Sequence, residues 1–139
     1  MINELRSLQS EYDELCQRVD PCTSQYTFLT ERQDNGSPHV EYIDGEYHYI
    51  VTERGLDLES RSTVDKSEIL YWMIYDLTFW MGVAYELKHR VDGPDVRRII
   101  FGHWLELMIK ADRSFADRLG SEIAAILAKN PFVDHDPLG

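Results

Sequence analysis

An acid–base site could form in the C-terminal half if the fold brought together four side chains, those of Asp76, Arg97, Arg98 and His103. Asp76 stands among apolar residues, and a carboxylate buried there needs a partner to stay ionised. Arg90, Arg97 or Arg98 could supply that partner, and His103 could then complete a small pocket. The alternatives are an acid or base in a cleft and an ion pair that locks two helices. We favour the ion pair. A shifted pKa would not distinguish the two, because ion pairs that only hold structure also shift the pKa values of their members.

Other kinds of chemistry lack the residues that they need. Arg97 and Arg98 could bind a phosphate, but the sequence has no glycine-rich loop that would help to bind it. The chain has no Gly-x-Ser-x-Gly elbow for a nucleophilic serine. Cys16 and Cys22 match neither the Cys-x-x-Cys redox pattern nor a zinc framework, so we expect reduced thiols. The sequence contains no complete catalytic signature, and we expect no enzyme activity.

Two groups of histidine and glutamate have the donor types of metal sites. His103 and Glu106 lie one helical turn apart, but carboxylate-bridged bundles use several such pairs from different helices. His39, Glu41 and His48 share one face of a predicted hairpin and could supply a facial triad. A cross-strand Glu–His pair is also an ordinary surface contact. We therefore expect no metal and no cofactor.

The composition indicates one acidic domain over residues 1–139. The 25 acidic and 14 basic residues give a net charge of −11, which disfavours nucleic acid and favours basic partners. Residues 1–60 carry 13 acidic and 4 basic residues, a net charge of −9, so the acidic field belongs mainly to the N-terminal half. The N-terminus lacks the features of a secretory signal, which predicts a cytoplasmic protein.

The N-terminal half predicts a helix followed by a hairpin. Apolar residues recur at helical spacing over residues 2–19, and residues 25–30 form a possible short strand. Asp44-Gly45 predicts a two-residue turn of type I′. That turn pairs Ile43 with Glu46, Tyr42 with Tyr47, Glu41 with His48 and Val40 with Tyr49. One face of the hairpin should lie in the core, and it carries Val40, Tyr42, Tyr47, Tyr49 and Val51. The other face should be exposed to solvent, and it carries His39, Glu41, Glu46 and His48 beside Ile43 and Ile50.

The rest of the chain predicts an edge strand and three helices. The strand follows Gly55 and should end before Thr63, where Ser62 or Thr63 starts a helix. That helix is apolar on most sides from Ile69 to Leu87 and should be central. A membrane span is disfavoured, because Asp76 near its midpoint would cost roughly 2.5–3.5 kcal/mol.

Two further helices are expected at the C-terminus, over residues 95–111 and 114–129. The first should pack through Ile99, Ile100, Leu105, Leu107, Met108 and Ile109. Asn130-Pro131 should stop the second, with Phe132 tucked back. The predicted fold class is therefore α+β, with an N-terminal helix, a small antiparallel sheet formed by the hairpin plus one or two short strands, and a three-helix C-terminal bundle.

One set of charged residues is a candidate for binding a partner protein, and a second set is a candidate for ion pairs that stabilise the fold. The acidic groups around the hairpin suit a partner with a basic patch, and His48 lies among them. These candidate partner-binding residues are Glu41, Asp44, Glu46, His48 and Glu53. The candidate structural ion pairs involve Arg54, Asp76, Asp95, Arg97 and Arg98. Aromatic residues of the apolar helix that remain at the surface would be interface anchors.

Several segments, taken as an ordered set, carry a resemblance to a known family. They are Tyr42-Ile43-Asp44-Gly45-Glu46-Tyr47-His48-Tyr49, Thr52-Glu53-Arg54-Gly55, Leu70-Tyr71-Trp72, Asp95-Val96-Arg97-Arg98-Ile99-Ile100-Phe101 and Asn130-Pro131-Phe132. In these segments the chain resembles bacterial polymorphic-toxin immunity proteins. The resemblance implies a small cytoplasmic protein, encoded beside a toxin, that binds the toxin tightly and neutralises it, for instance by occluding its active site or substrate cleft.

Two other functions remain open from the residues alone. A small enzyme or ligand-binding protein would use a pocket near Asp76, Arg97, Arg98 and His103. An oligomeric scaffold or regulatory module would expose an apolar, self-complementary patch, and a homo-oligomer is possible. A flat acidic surface and exposed aromatic residues would favour the inhibitor.

Overall fold

The computed structural model describes residues 2–21, 35–54 and 56–135. The elements are α1 (Asn3–Val19), β1 (Asn35–Ile43), β2 (Glu46–Glu53), β3 (Leu56–Thr63), α2 (Lys66–Lys88), α3 (Arg97–Ala111) and α4 (Arg113–Lys129). This order of a helix, a small antiparallel sheet and further helices confirms the predicted α+β class. The strand predicted at residues 25–30, and Cys22, lie outside the described residues.

The chain forms two compact units, Met1–Met73 and Ile74–Gly139. In the first unit, α1 is amphipathic as expected and buries one stripe of side chains. These are Leu5, Leu8, Tyr12, Leu15, Cys16 and Val19. Burial raises the pKa of Cys16 to about 11, so this thiol stays protonated and unreactive at neutral pH.

The hairpin has the predicted turn and register. Asp44 and Gly45 have φ angles of 52° and 79°, as a type I′ turn requires. The four predicted pairs are all present between β1 and β2. Val40, Tyr47 and Tyr49 of the predicted core face are buried, whereas Tyr42 and Val51 are only half-buried. The sheet order is β1-β2-β3 within the described residues.

One residue of the face that was predicted to be solvent-exposed is buried. His39 is only 3% exposed, and its Nε2 lies 3.1 Å from Glu41 Oε2. Its Nδ1 has no hydrogen-bond partner within the described part of the chain. Strand alternation predicts which side of the sheet a residue is on, but it does not predict what covers that side. The prediction of an exposed His39 is therefore wrong.

The turn from β2 to β3 is as tight as the hairpin turn. Glu53 pairs with Leu56, and Arg54 has a φ angle of 51°, so a non-glycine residue adopts the left-handed conformation here. Strand β3 runs through Thr63 and does not end before it. The sheet extends further than predicted because Thr63 still pairs with Tyr47.

Asp65, and not Ser62 or Thr63, caps the start of the long helix α2. The Asp65 carboxylate accepts a hydrogen bond from the Ser67 N–H at 2.9 Å, which satisfies a free N–H of the first turn. The Thr63 hydroxyl instead accepts from the Asp65 N–H at 3.0 Å. The predicted start of the helix is therefore corrected by two or three residues.

Helix α2 is not buried along its whole length. Ile69 and Ile74 are fully buried, whereas Trp80 is 66% exposed and Leu87 is 62% exposed. The expectation that the apolar run is central throughout is wrong for its C-terminal half. An apolar composition on all sides predicts burial but cannot distinguish a covered face from an exposed recognition face.

In the second unit, α2 and α3 approach closely at Gly82. A Cβ built at Gly82 would lie 3.1 Å from the Ile100 carbonyl oxygen and 3.6 Å from the Trp104 Cβ. Trp104 is buried, and the rings of Tyr75 and Phe79 meet it edge-on at 4.7 Å and 5.0 Å between centroids. This aromatic cluster is the centre of the helical core.

Two glycines on helices should respond oppositely to substitution. Gly82→Leu should lower the free energy of unfolding by about 1–3 kcal/mol, because the side chain has no space against α3. Gly120→Ala should raise it by up to about 1 kcal/mol, because nothing lies within 4 Å of the added Cβ and alanine favours the helix. Urea denaturation measures both, and equal effects would contradict the close approach at Gly82.

The C-terminal helices begin and end within two residues of the predicted bounds, but the predicted packing of α3 holds only in part: Leu107 and Met108 are buried, and Ile99, Ile100 and Leu105 are half-buried. Asp112 caps α4 by accepting hydrogen bonds from the N–H groups of Ser114 and Phe115. Helix α4 ends at Lys129, so Asn130-Pro131 does stop it. Ile109, predicted to pack, is 48% exposed. The buried residues of α3 are Phe101, Trp104, Leu107, Met108 and Ala111.

Candidate functional site

The outer surface of the hairpin gathers three carboxylates, one exposed and two partly exposed, around one apolar side chain. We define the hairpin face as Glu41, Ile43, Asp44, Glu46 and His48. Pairing of β1 with β2 sets Glu41 opposite His48 and Ile43 opposite Glu46, so four of these residues share one side of the sheet. Asp44 occupies the turn and is exposed. Ile43 is 48% exposed between the carboxylates.

The strand next to the hairpin adds no cation to this face. Ser62 lies opposite His48, and Ser60 lies opposite Ile50. Arg61 belongs to the other side of β3, where its guanidinium lies over the rings of Trp72, at 4.7 Å, and Tyr49, at 5.6 Å. Among the described side chains, the ion-pair partners of the Glu41 and Glu46 carboxylates are imidazoles, at 3.1 Å from His39 and 3.8 Å from His48.

Glu53 was the fifth predicted contact residue. Its backbone pairs with Leu56 at the end of β2, 7 residues along the same strand from Glu46. Its side chain lies outside what the structure describes, so its role remains a prediction.

A second polar cluster holds the C-terminal segment 130–135 against the start of α3, and we call this segment the strap. Arg97 Nη2 donates to Asp95 Oδ2 at 2.8 Å and to the Pro131 carbonyl at 2.8 Å. Its Nη1 donates to the Asn130 carbonyl at 2.9 Å. The Val133 N–H donates to Asp95 Oδ2 at 2.9 Å. Asp95 and Arg97 thus form an ion pair that also satisfies the backbone of the strap.

Arg98 forms the second half of this attachment. Its Nε and Nη2 donate to the two carboxylate oxygens of Asp134 at 2.9 Å and 2.7 Å, a bidentate pair. Asp134 also accepts from the Asp95 N–H at 2.8 Å. The Arg98 guanidinium lies 4.2 Å from the centre of the Phe132 ring, which in turn lies 6.3 Å from the Phe101 ring. Phe132 therefore does fold back, as predicted.

These contacts shift the acid–base equilibria of both carboxyl groups. The Arg97 side chain, with the N–H groups of Val133 and Arg97, holds the pKa of Asp95 well below its usual range. The Arg98 side chain and the Asp95 N–H lower the pKa of Asp134 to about 2. A carboxyl group whose pKa is depressed in the folded state stabilises the fold above its unfolded pKa, and this contribution disappears as the pH falls.

The strap should therefore lose its ionic attachment in acid. Asp134→Asn should lower the midpoint of thermal unfolding at pH 7 by a few degrees. The gap between this variant and the parent protein should close between about pH 4, the ordinary aspartate pKa, and pH 2. Thermal scans at several pH values measure the gap, with Asp117→Asn as an exposed control. A gap that is the same at pH 7 and pH 2 would contradict the charged pairing.

The arginines that were candidates for the predicted pocket contact other residues. Arg97 and Arg98 bind Asp95 and Asp134 in the strap. Arg90 binds Glu86 through Nε and Nη2, at 2.9 Å and 2.8 Å. Asp76 lies half-buried in α2. Arg97 and Arg98 thus hold the strap, and Arg90 pairs with a glutamate four residues earlier.

His103 lies in a stack of rings. Its imidazole is nearly parallel to the Tyr85 ring at 3.9 Å, and His89 stacks on Tyr85 at 4.1 Å. His103 Nδ1 lies 3.6 Å from Glu106 Oε2. Among the residues that the structure describes, no three His, Cys, Asp or Glu side chains are grouped so as to hold a metal ion. This stack of three rings joins the end of α2 to α3.

Sequence reasoning missed three residues that matter for these clusters. Asp134 was given no role, yet it anchors the strap to Arg98, which lies 36 residues earlier in the chain. Glu86 is buried although it is charged, and Arg61 covers aromatic rings of the core face. Only the Glu86–Arg90 pair has a local signal, an acid and a base four residues apart in a helix.

No helix in the described ranges is long and apolar enough to cross a bilayer. A partly exposed acidic face with an apolar centre is the kind of surface by which proteins recognise basic protein partners. A family model described as Immunity protein 63 (Imm63) matches residues 44–125, from the hairpin turn into α4. This match covers more than half of the chain, and the chain belongs to the Immunity protein 63 family.

The family match confirms the resemblance to immunity proteins of toxin systems. The function is therefore immunity in general terms, and the family implies a cognate toxin as the partner. Proteins of immunity families are generally not enzymes. No curated protein and no solved structure matches the chain.

Proposed function

We propose that this protein neutralises its cognate toxin by binding it, with no catalytic step, and that the hairpin face is a contact surface. The observation that carries the proposal is a set of three carboxylates around the exposed Ile43: Asp44 is exposed, and the side chains of Glu41 and Glu46 are 39% and 47% exposed. Membership of an immunity family supports a toxin as the partner. The negative charge of the hairpin face supports a contact with a basic surface of that toxin.

The physical basis is electrostatic complementarity. Like charges on one face repel each other, and a partner with cationic side chains relieves that repulsion while it raises the association rate. Ile43 adds an apolar contact from which water is excluded, as at the centre of protein interfaces. The toxin surface that fits this face is therefore basic, as in a cleft that binds a polyanionic substrate, and covering such a cleft would block the toxin.

A protection assay tests the proposal. The toxin domain encoded beside this protein is expressed in bacteria together with the parent protein or with a variant in which Glu41, Asp44 and Glu46 are each changed to Lys. We expect growth with the parent protein and loss of protection with the variant at equal protein levels. Growth arrest in the presence of folded parent protein would overturn the proposal.

A further inference from the structure

The C-terminal half of α2 presents an exposed apolar face that the hairpin proposal does not use. We define the α2 face as Trp80, Ala84 and Leu87, which lie at helical spacings of four and three residues. Trp80 is 66% exposed and Leu87 is 62% exposed. Ala84 is exposed between them, so the face has a small residue between two large ones. Large apolar side chains at this spacing on a protein surface mark a contact site.

The indole of Trp80 is held in place from beneath. Its ring meets Phe79 edge-on, with 5.4 Å between centroids, and Phe79 meets the buried Trp104 at 5.0 Å. Gly82 fixes this part of α2 close to the backbone of α3. A side chain that is already ordered loses little conformational entropy when a partner binds. Trp80 is therefore a preorganised anchor of the type that dominates binding energy.

The size of the face decides between a second copy and a different partner. Two copies that paired through two large side chains and an alanine each would together bury on the order of 600–800 Å². Specific interfaces begin at about 1,200 Å². Self-association through this face alone is therefore too small to give a stable dimer, and the partner that the family implies is a cognate toxin.

We infer that the α2 face is a second contact site for the cognate toxin and that it docks into an apolar groove on the toxin surface. The inference rests on the proposed function, because it names the same partner. Helices that bind in grooves use anchors at i, i+4 and i+7, which is the spacing of Trp80, Ala84 and Leu87. The hairpin face accelerates association through charge, and the α2 face slows dissociation through apolar burial.

Binding kinetics of full-length variants with the purified toxin domain test this assignment. The double variant Trp80→Ala, Leu87→Ala should raise Kd on the order of 30-fold, the level of interface hot spots, mainly through faster dissociation. Its dependence on salt should equal that of the parent protein. A matched control is Leu56→Ala, Val64→Ala, which removes two other exposed apolar side chains and should bind as the parent does.

A second variant keeps both anchors in place. Ala84→Arg retains Trp80 and Leu87 but puts a long charged side chain between them, and it too should speed dissociation. Unchanged kinetics for both α2-face variants, with a parent protein that still binds and protects, would overturn the inference and leave the proposed function standing. A parent protein that neither binds nor protects would overturn both. A dimer of the free protein that Trp80→Ala, Leu87→Ala dissolves would assign the face to a second copy instead.

Discussion

Replacing Trp104 with alanine is expected to lower the free energy of unfolding by about 3–5 kcal/mol, the range for removal of a large buried aromatic side chain. Trp104 is 2% exposed and contacts the rings of Tyr75, Phe79 and Phe101. The alanine variant leaves a cavity that the flanking rings cannot close. Urea denaturation followed by circular dichroism measures the loss.

Two variants separate the parts of this effect. Trp104→Phe retains a ring in the cluster and should cost less than about 1.5 kcal/mol. The indole N–H that it removes is buried and has no hydrogen-bond partner among the described residues, so no polar contact is lost. Trp80→Ala, at an exposed tryptophan of the same helical region, should change stability by less than about 0.5 kcal/mol. Equal losses for Trp104→Ala and Trp80→Ala would contradict the assignment of core and surface.

Reversing the three charges of the hairpin face is expected to raise Kd for the toxin on the order of 100-fold at low salt, mainly through slower association. Glu41→Lys, Asp44→Lys and Glu46→Lys together replace attraction to a basic surface with repulsion. The expected loss shrinks as salt is added, because the Debye length falls from about 10 Å at 0.1 M to about 3 Å at 1 M. Stopped-flow association at several salt concentrations measures it.

The control for this experiment changes the same number of charges elsewhere. Glu106, Asp117 and Glu122 lie on α3 and α4, outside the hairpin, and each makes contacts only to side chains of its own helix in the ion pairs described. Their reversal to lysine should lower the association rate far less, although the net charge changes equally. A similar loss for both triple variants would mean that total charge, and not the hairpin face, governs association.

Local signals in the sequence were sufficient for much of the fold. Asp44-Gly45 specifies its turn through positive φ angles, and the turn then fixes the register of β1 with β2. The amphipathic pattern of α1 and the stop at Asn130-Pro131 are also local. Each of these features depends on residues a few positions apart, so no tertiary contact was needed to predict it.

The features that escaped prediction depend on distant residues. Asp134 meets Arg98, and Val133 meets Asp95, across 36 and 38 residues, so no helical or strand spacing relates them. The burial of His39 depends on what covers the sheet. The shift of register between Val51 and Thr52 inserts an irregularity that strand alternation does not reveal.

The functional surfaces were predictable in part. Acidic composition of the N-terminal half favoured a basic partner, and the register placed Glu41, Ile43 and Glu46 on one side of the hairpin. The α2 face was not predictable, because an exposed apolar helix face and a buried one have the same residues. Only the exposure of Trp80 and Leu87 distinguishes them.

Calorimetric titration of this protein with the toxin domain encoded beside it is the most direct test of neutralisation by binding. We expect a 1:1 complex with a nanomolar Kd at low salt, an affinity that weakens as salt rises, and loss of toxicity at equal molarity. A parent protein that is folded yet gives no heat of binding and no protection at micromolar concentrations would contradict the account.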